Sequence, residues 1–233
     1  MPFKPIILFL ALLALPGILS GQTPDSLWLN DDWYYTTESG SFVDLTRYLP
    51  GFLRDEAYLK RYIRDERFFR LRRLYDDTLA VDAVFDRAML IAEGDVRRAL
   101  LLSTAATMDH RRLGIRLPLL GTLFFPLTFE NDSLFRIRRT HLPKRVLADR
   151  PRAVDKDKLQ HFFGSAYIAY LFNSDRIAKW AGDRLEEGEE SFVAGGREDE
   201  RDKAANAKGR EFGLRLLREP ELLPSDVLWG REP

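Results

Sequence analysis

The chain has no cysteine among its 233 residues, which excludes disulfides, thiolate metal sites, a cysteine nucleophile and a lipid-modified cysteine at a signal junction. Net charge is missing too. The 36 lysines and arginines balance 36 aspartates and glutamates, so a nucleic-acid partner has no support. No Gly-x-Ser-x-Gly element surrounds Ser165, and the pair Gly195-Gly196 lacks the lysine of a phosphate-cradling loop. The longest uninterrupted apolar run, Ile6 to Leu15, is too short to cross a hydrocarbon core of about 30 Å comfortably. It follows Lys4 and is broken by Pro16-Gly17, so residues 1–21 are expected to be a signal peptide cleaved after Gly21, with retention as an anchor as the other reading. Either reading exports the protein, to the periplasm or to the periplasmic face of a membrane.

Residues 22–150 read as a helical region followed by a β-hairpin segment. Leu53 to Arg73 is amphipathic, with Leu59, Tyr62, Ile63 and Phe69 near one face; arginines 64, 67, 70, 72 and 73 would either meet anionic headgroups or pair with interleaved acids on a solvated face. Val81 to Ala92 and Asp95 to Met108 follow as helices, with Glu93-Gly94 as a stop and Asp95 as a restart. Apolar residues then alternate with others at Ile115, Leu117 and Leu119, at Phe125, Leu127 and Phe129, and at Phe135 and Ile137. Three strands are expected, the second and third forming an antiparallel hairpin through Glu130-Asn131-Asp132-Ser133, with Pro118 and Pro126 favouring edge positions. The predicted class is therefore α+β, mainly α-helical.

Leu117 to Phe129 is strongly apolar and is bracketed by Arg111, Arg112 and Arg116 and by Arg136, Arg138 and Arg139. It would either pack on the helices or touch an anionic membrane surface. His110 and His141 have no partner at ligand spacing and read as surface or strand-end histidines. Near the start of the mature chain, Trp28, Trp33, Tyr34 and Tyr35 form an aromatic cluster that reads as an arm tucked onto the core or a sugar or partner contact.

A charged crossing around Pro151 leads into a C-terminal helical unit, 151–220, with 221–233 as a tail. Asp157 is placed to cap a helix ending near Phe172, on which Asp157, His161, Gly164 and Ser165 share a face. A final helix carries Asp202, Asn206, Gly209 and Gly213 on one stripe. Two glycines within a helix cost about 1 kcal/mol each in propensity, and close approach of a second helix is the usual compensation. Gly164 and Ser165 supply small residues for such a crossing, near His161 and Asp202 or Asn206.

Asp157-Lys158-x-x-His161-Phe162, then Glu187-x-x-Glu190, then Asp202-x-x-x-Asn206-x-x-Gly209-x-x-x-Gly213 resembles the pattern shared by the VanZ-like proteins and the YfiM-type periplasmic lipoproteins, over about 155–217. The chain lacks the membrane-spanning helices of the first and the lipidated cysteine of the second. The resemblance implies an envelope setting and no particular reaction. Three readings of the constellation stand. His161 with Asp202 or Asn206 fixes a helix crossing. Alternatively Asp157, His161, Glu187, Glu190 and Asp202 hold a divalent cation. In the third, His161 and Asp202 are catalytic, His161 acting as a general base on an envelope lipid or glycan. The preferred function is an exported cell-envelope protein of structural or interaction type; the alternative is a metal-dependent hydrolase at the periplasmic membrane surface.

Overall fold

A computed structural model describes residues 49–74, 77–117, 121–126, 128–147, 155, 157–180 and 200–230. Helices α1 (Gly51–Arg64), α2 (Glu66–Leu74), α3 (Asp77–Ile91) and α4 (Val96–Thr107) come first, then a ribbon of β1 (Arg112–Leu117) and β2 (Gly121–Pro126), then α5 (Asp132–His141), α6 (Lys158–Phe172), α7 (Glu200–Leu216) and α8 (Pro224–Leu228). The α3 to α4 corner is set by Glu93 and Gly94, at φ 54° and 83°, and by the Asp95 side chain, which accepts from Arg98 N.

The fold is all-α, not α+β. Its core is built mainly from helical residues such as Leu59, Ile63, Val84, Leu100, Phe162 and Phe212, to which the connections add Leu142, Val146, Leu147 and Leu222. β1 and β2 pair antiparallel from Arg112 opposite Pro126 to Leu117 opposite Gly121, but this two-stranded ribbon is no sheet layer. The predicted hairpin between Phe125–Phe129 and Phe135–Ile137 does not form. The Asn131 side chain accepts from Leu134 N and starts α5, so a segment expected to turn caps a helix instead. Phe135 and Ile137 alternate over too short a stretch to separate a strand from a helix, and Arg138 and His141 are the residues that α5 buries.

The middle of the core is α6, which packs against α4 on one side and α7 on the other. Phe162, Phe163, Phe212 and Phe85 of α3 form a cluster there, with Phe85 edge-on to Phe212 at 5.2 Å and Phe162 stacked on Phe212 at 5.3 Å. Within 221–233, α8 buries Val227 and Leu228 against this assembly and lies on α3, where Asp82 accepts from Ser225 N at 2.8 Å.

Burial pushes the Asp82 carboxyl up from 3.8 to about 6, outweighing its hydrogen bonds from Ser225. A carboxyl titrating higher in the folded than in the unfolded chain binds its proton more tightly when folded. Its contribution to stability is therefore greatest below about pH 4 and falls as pH rises through about 6. Asp82→Asn keeps an acceptor for Ser225 N and should remove that slope. Urea denaturation from pH 4 to 7.5 should find the variant more stable by about 2 kcal/mol at the upper end and matched at the lower end. Equal pH slopes in the two proteins would refute this.

Candidate functional site

The crossing of α6 and α7 brings together most of the residues singled out in the sequence. The two helices run parallel: Ser165 meets Asn206, and further along Ala166 meets Gly213. At Gly209 an added Cβ would fall 2.1 Å from the Phe162 carbonyl oxygen, and at Gly213 one would fall 2.2 Å from that of Ala166. The helices thus touch backbone to backbone, which only glycine allows. Beside this contact Ser165 Oγ donates to Asn206 Oδ1 at 2.8 Å.

At the N-terminal end of the crossing the groups are charged. Lys158 Nζ lies 2.8 Å from Asp157 Oδ2 and 2.8 Å from Asp202 Oδ1, and His161 Nε2 lies 3.2 Å from the same Asp202 oxygen. The contacts at Asp202 Oδ1 are ionic and lack the alignment of a hydrogen bond. The Lys158 side chain is 5% exposed, so its charge is compensated within the fold by these two carboxylates. A second, oppositely poled pair lies alongside. Arg201 forks onto Asp155 at 2.7 to 2.9 Å, and Asp155 also accepts from Val146 N and Leu147 N. The start of α6, with Asp155 just before it, and the first turn of α7 are therefore joined by two reciprocal ion pairs, and Arg210 of α7 reaches Asp175 beyond the end of α6 at 2.9 Å.

Two of the expected placements change. Asp157 makes no side-chain cap to α6, its carboxylate being turned to Lys158. Gly164 does not face α7; a Cβ there would meet Thr104 Cγ2 of α4 at an ordinary 3.5 Å. It belongs to the opposite side of α6, one residue away from the Ser165 side of the helix. Glu187 and Glu190, like the Trp28 to Tyr35 cluster and Gly195-Gly196, lie outside the described residues. Among the described residues no three histidine, aspartate or glutamate side chains are grouped to hold a metal ion. The position between Asp157 and Asp202 that a cation would take is filled by the Lys158 ammonium.

A second polar cluster was not anticipated. Arg138 is fully buried; its Nε donates to Glu130 Oε2 at 2.8 Å and its Nη1 to the carbonyls of Ala106 and Met108, both at 2.8 Å. Glu130 also takes Arg64 Nη1 at 2.5 Å, while Lys60 bridges Glu56 at 2.5 Å and Thr128 at 3.0 Å. Burial raises the Glu130 carboxyl, but Arg138, Lys60 and Arg64 together pull it below the ordinary range. Burial depresses Lys60 as well, against the opposing pull of Glu56. Arg138 is thereby removed from the basic rim proposed around Leu117 to Phe129, and Arg111 of that rim is engaged by Asp132 and by the Glu130 carbonyl. The sequence signal was available in α1: Glu56, Lys60 and Arg64 stand four apart, on the side of Leu59 and Ile63.

Neither remaining histidine is in the crossing. His110 is exposed and pairs with Asp109 at 2.8 Å. His141, expected at the surface or a strand end, is buried in α5, stacks on Phe69 at 4.7 Å and donates Nδ1–H to Ile63 O at 3.0 Å. Burial lowers its pKa, consistent with a neutral ring making that bond. Arg72 Nη1 donates to the carbonyls of Thr140, His141 and Leu142, closing the end of α5. Comparison with protein-family models, with curated proteins and with solved structures finds no match.

Proposed function

We propose that the chain is an exported cell-envelope protein of structural or interaction type, and that the polar residues of the α6 and α7 crossing fix its register. The observation that carries the structural role is the placement of the Lys158 ammonium between Asp157 and Asp202, at 2.8 Å from each. Asp157 and Asp202, two of the four carboxylates offered as metal ligands, already have a cation, and His161 faces Asp202. The small-residue contact at Gly209 and Gly213 makes register critical, because a slip would drive a side chain into a carbonyl. Paired charges at the mouth of such a contact oppose a slip by leaving a buried charge unpaired. The likeness of 155–217 to VanZ-like and YfiM-type proteins supports the envelope setting.

His161→Ala removes the ring beside Asp202 and leaves the Lys158 pair. It should lower stability by about 1–2 kcal/mol, by the same amount with EDTA as with added calcium, magnesium, manganese or zinc. Thermal melts of wild type and variant under those conditions decide between the readings. A wild type that is stabilised by metal, beside a variant that is not, would replace the structural role with the metal-dependent one. Recovery of the full chain in the cytoplasmic fraction of a bacterial host would refute export.

A further inference from the structure

We propose that the basic surface made by the outward sides of α2 and α5, together with Lys144 and Arg145, docks on an anionic phospholipid bilayer. The arginines grouped at 64–73 divide in the fold. Arg64 is buried on Glu130, Arg67 pairs with Asp65, and Arg72 turns to Asp77 and to the carbonyls at the end of α5, which leaves Arg70 and Arg73 outward. The cations of α5 divide in the same way. Arg138 is taken by Glu130 and Arg139 by Asp109, while Arg136 is exposed, as are Lys144 and Arg145 just after the helix. Among the described residues no ion pair holds the side chain of Arg70, Arg73, Arg136, Lys144 or Arg145.

These cations belong to one side of the molecule. Phe69 stacks on His141 at 4.7 Å, the Arg73 guanidinium lies over the Phe69 ring at 5.7 Å, and Arg145 N donates to Asp77, the partner of Arg72. The last turns of α2 are thereby held against the end of α5, with Arg70 one turn before Arg73 and Arg136 one turn before Thr140. The nearby acids Asp65, Asp77 and Asp132 are engaged by Arg67, Arg72 and Arg111, so exposed Glu66 is the acid left to oppose the five cations. On a chain of zero formal net charge that is a segregated positive patch, which attracts an anionic partner. Its make-up favours a bilayer. The cations are spread over two helices and a connection, which suits a field of phosphates, and four of the five are arginines, whose forks bridge phosphate oxygens. Ile137, 40% exposed among them, would enter the headgroup layer.

The proposal rests on the envelope reading for access to a membrane, but vesicle binding is measured on the purified full chain whatever its compartment. Partitioning is compared on vesicles of phosphatidylcholine alone and on vesicles that also contain phosphatidylglycerol. Wild type should prefer the anionic vesicles by about tenfold or more and lose that preference in about 0.5 M salt. The triple variant Arg70→Gln, Arg136→Gln and Arg145→Gln, with every change at an exposed position, should bind them about tenfold or more weakly while keeping its circular dichroism. Arg176→Gln, Lys203→Gln and Arg218→Gln together remove the same charge from exposed positions elsewhere, and that variant should bind like wild type. No preference for the anionic lipid, a patch variant that still binds, or equal losses in the two triple variants would each overturn the assignment. A wild type that ignores both vesicles and binds polyglutamate would give the surface to an acidic polypeptide and overturn it as well. None of those outcomes alters what fractionation says about export or the melts about the crossing.

Discussion

Gly209→Ala and Gly213→Ala are each expected to lower the melting temperature by roughly 6–12 °C, while Gly164→Ala leaves it unchanged or raises it slightly. All three substitutions add one methyl group to a helix and improve helix propensity by about 1 kcal/mol. What separates them is the atom the new methyl meets. At 209 and 213 it is a backbone carbonyl oxygen of α6, at 2.1 and 2.2 Å, with the carbonyl carbon behind it at 2.9 Å in both cases. No rotamer change relieves a clash with backbone, so α6 and α7 must separate along their contact and disturb the stacking of Phe162 on Phe212. Overpacking of this kind costs about 3 kcal/mol or more, well beyond the propensity gained. At 164 the nearest atom is Thr104 Cγ2 at 3.5 Å, a normal contact, and propensity is left to decide the sign. Differential scanning calorimetry of the three variants provides the comparison. Three equal shifts would mean that the parallel crossing is not as drawn.

That contrast also shows what the sequence could and could not reveal. Glycines repeated at helical spacing beside Asp202 and Asn206 were legible as a crossing because their propensity cost has to be recovered somewhere. The partner surface was only half legible. Gly164 and Ser165 are adjacent in sequence, yet they point to different neighbours, since successive residues on a helix are turned by about 100° from each other. The class was misread for a related reason. Asn131, Asp132 and Ser133 are favoured both in turns and at helix starts, and the three-residue alternation of Phe135, Arg136 and Ile137 fits either state. Only the tertiary setting chooses, through the burial of Arg138 and His141 against α1, α2 and α4. The placement of Glu56, Lys60 and Arg64 on the Leu59 and Ile63 side of α1 was legible, but a sequence gives no sign of which acid will neutralise which base across a separation such as that of Arg64 and Glu130.

Glu130→Gln should therefore be among the most damaging conservative substitutions in the chain, at about 3–5 kcal/mol. The change is nearly isosteric, and it leaves Arg64, Arg138 and Lys60 buried around a neutral amide. Glu56 would remain as the carboxylate bonded to Lys60, and Arg138, already without a partner at Nη2, would have its charge opposed chiefly by carbonyl dipoles at Ala106 and Met108. Removing both sides of one pair should be gentler. The double variant Glu130→Gln and Arg138→Met should lose less than the sum of its two single variants, because the second change removes the cation that the first one strands. Proton linkage gives an independent check. A carboxyl held below its ordinary value of 4.5 contributes stability that is complete above that pH and is lost as pH falls through its folded-state value. Wild type should show that acid-side loss and Glu130→Gln should not, the reverse of the behaviour expected at Asp82. Urea titrations of the four proteins at pH 7 and at pH 3.5 measure both effects, and additive single and double variants would show that Glu130 and Arg138 are not coupled.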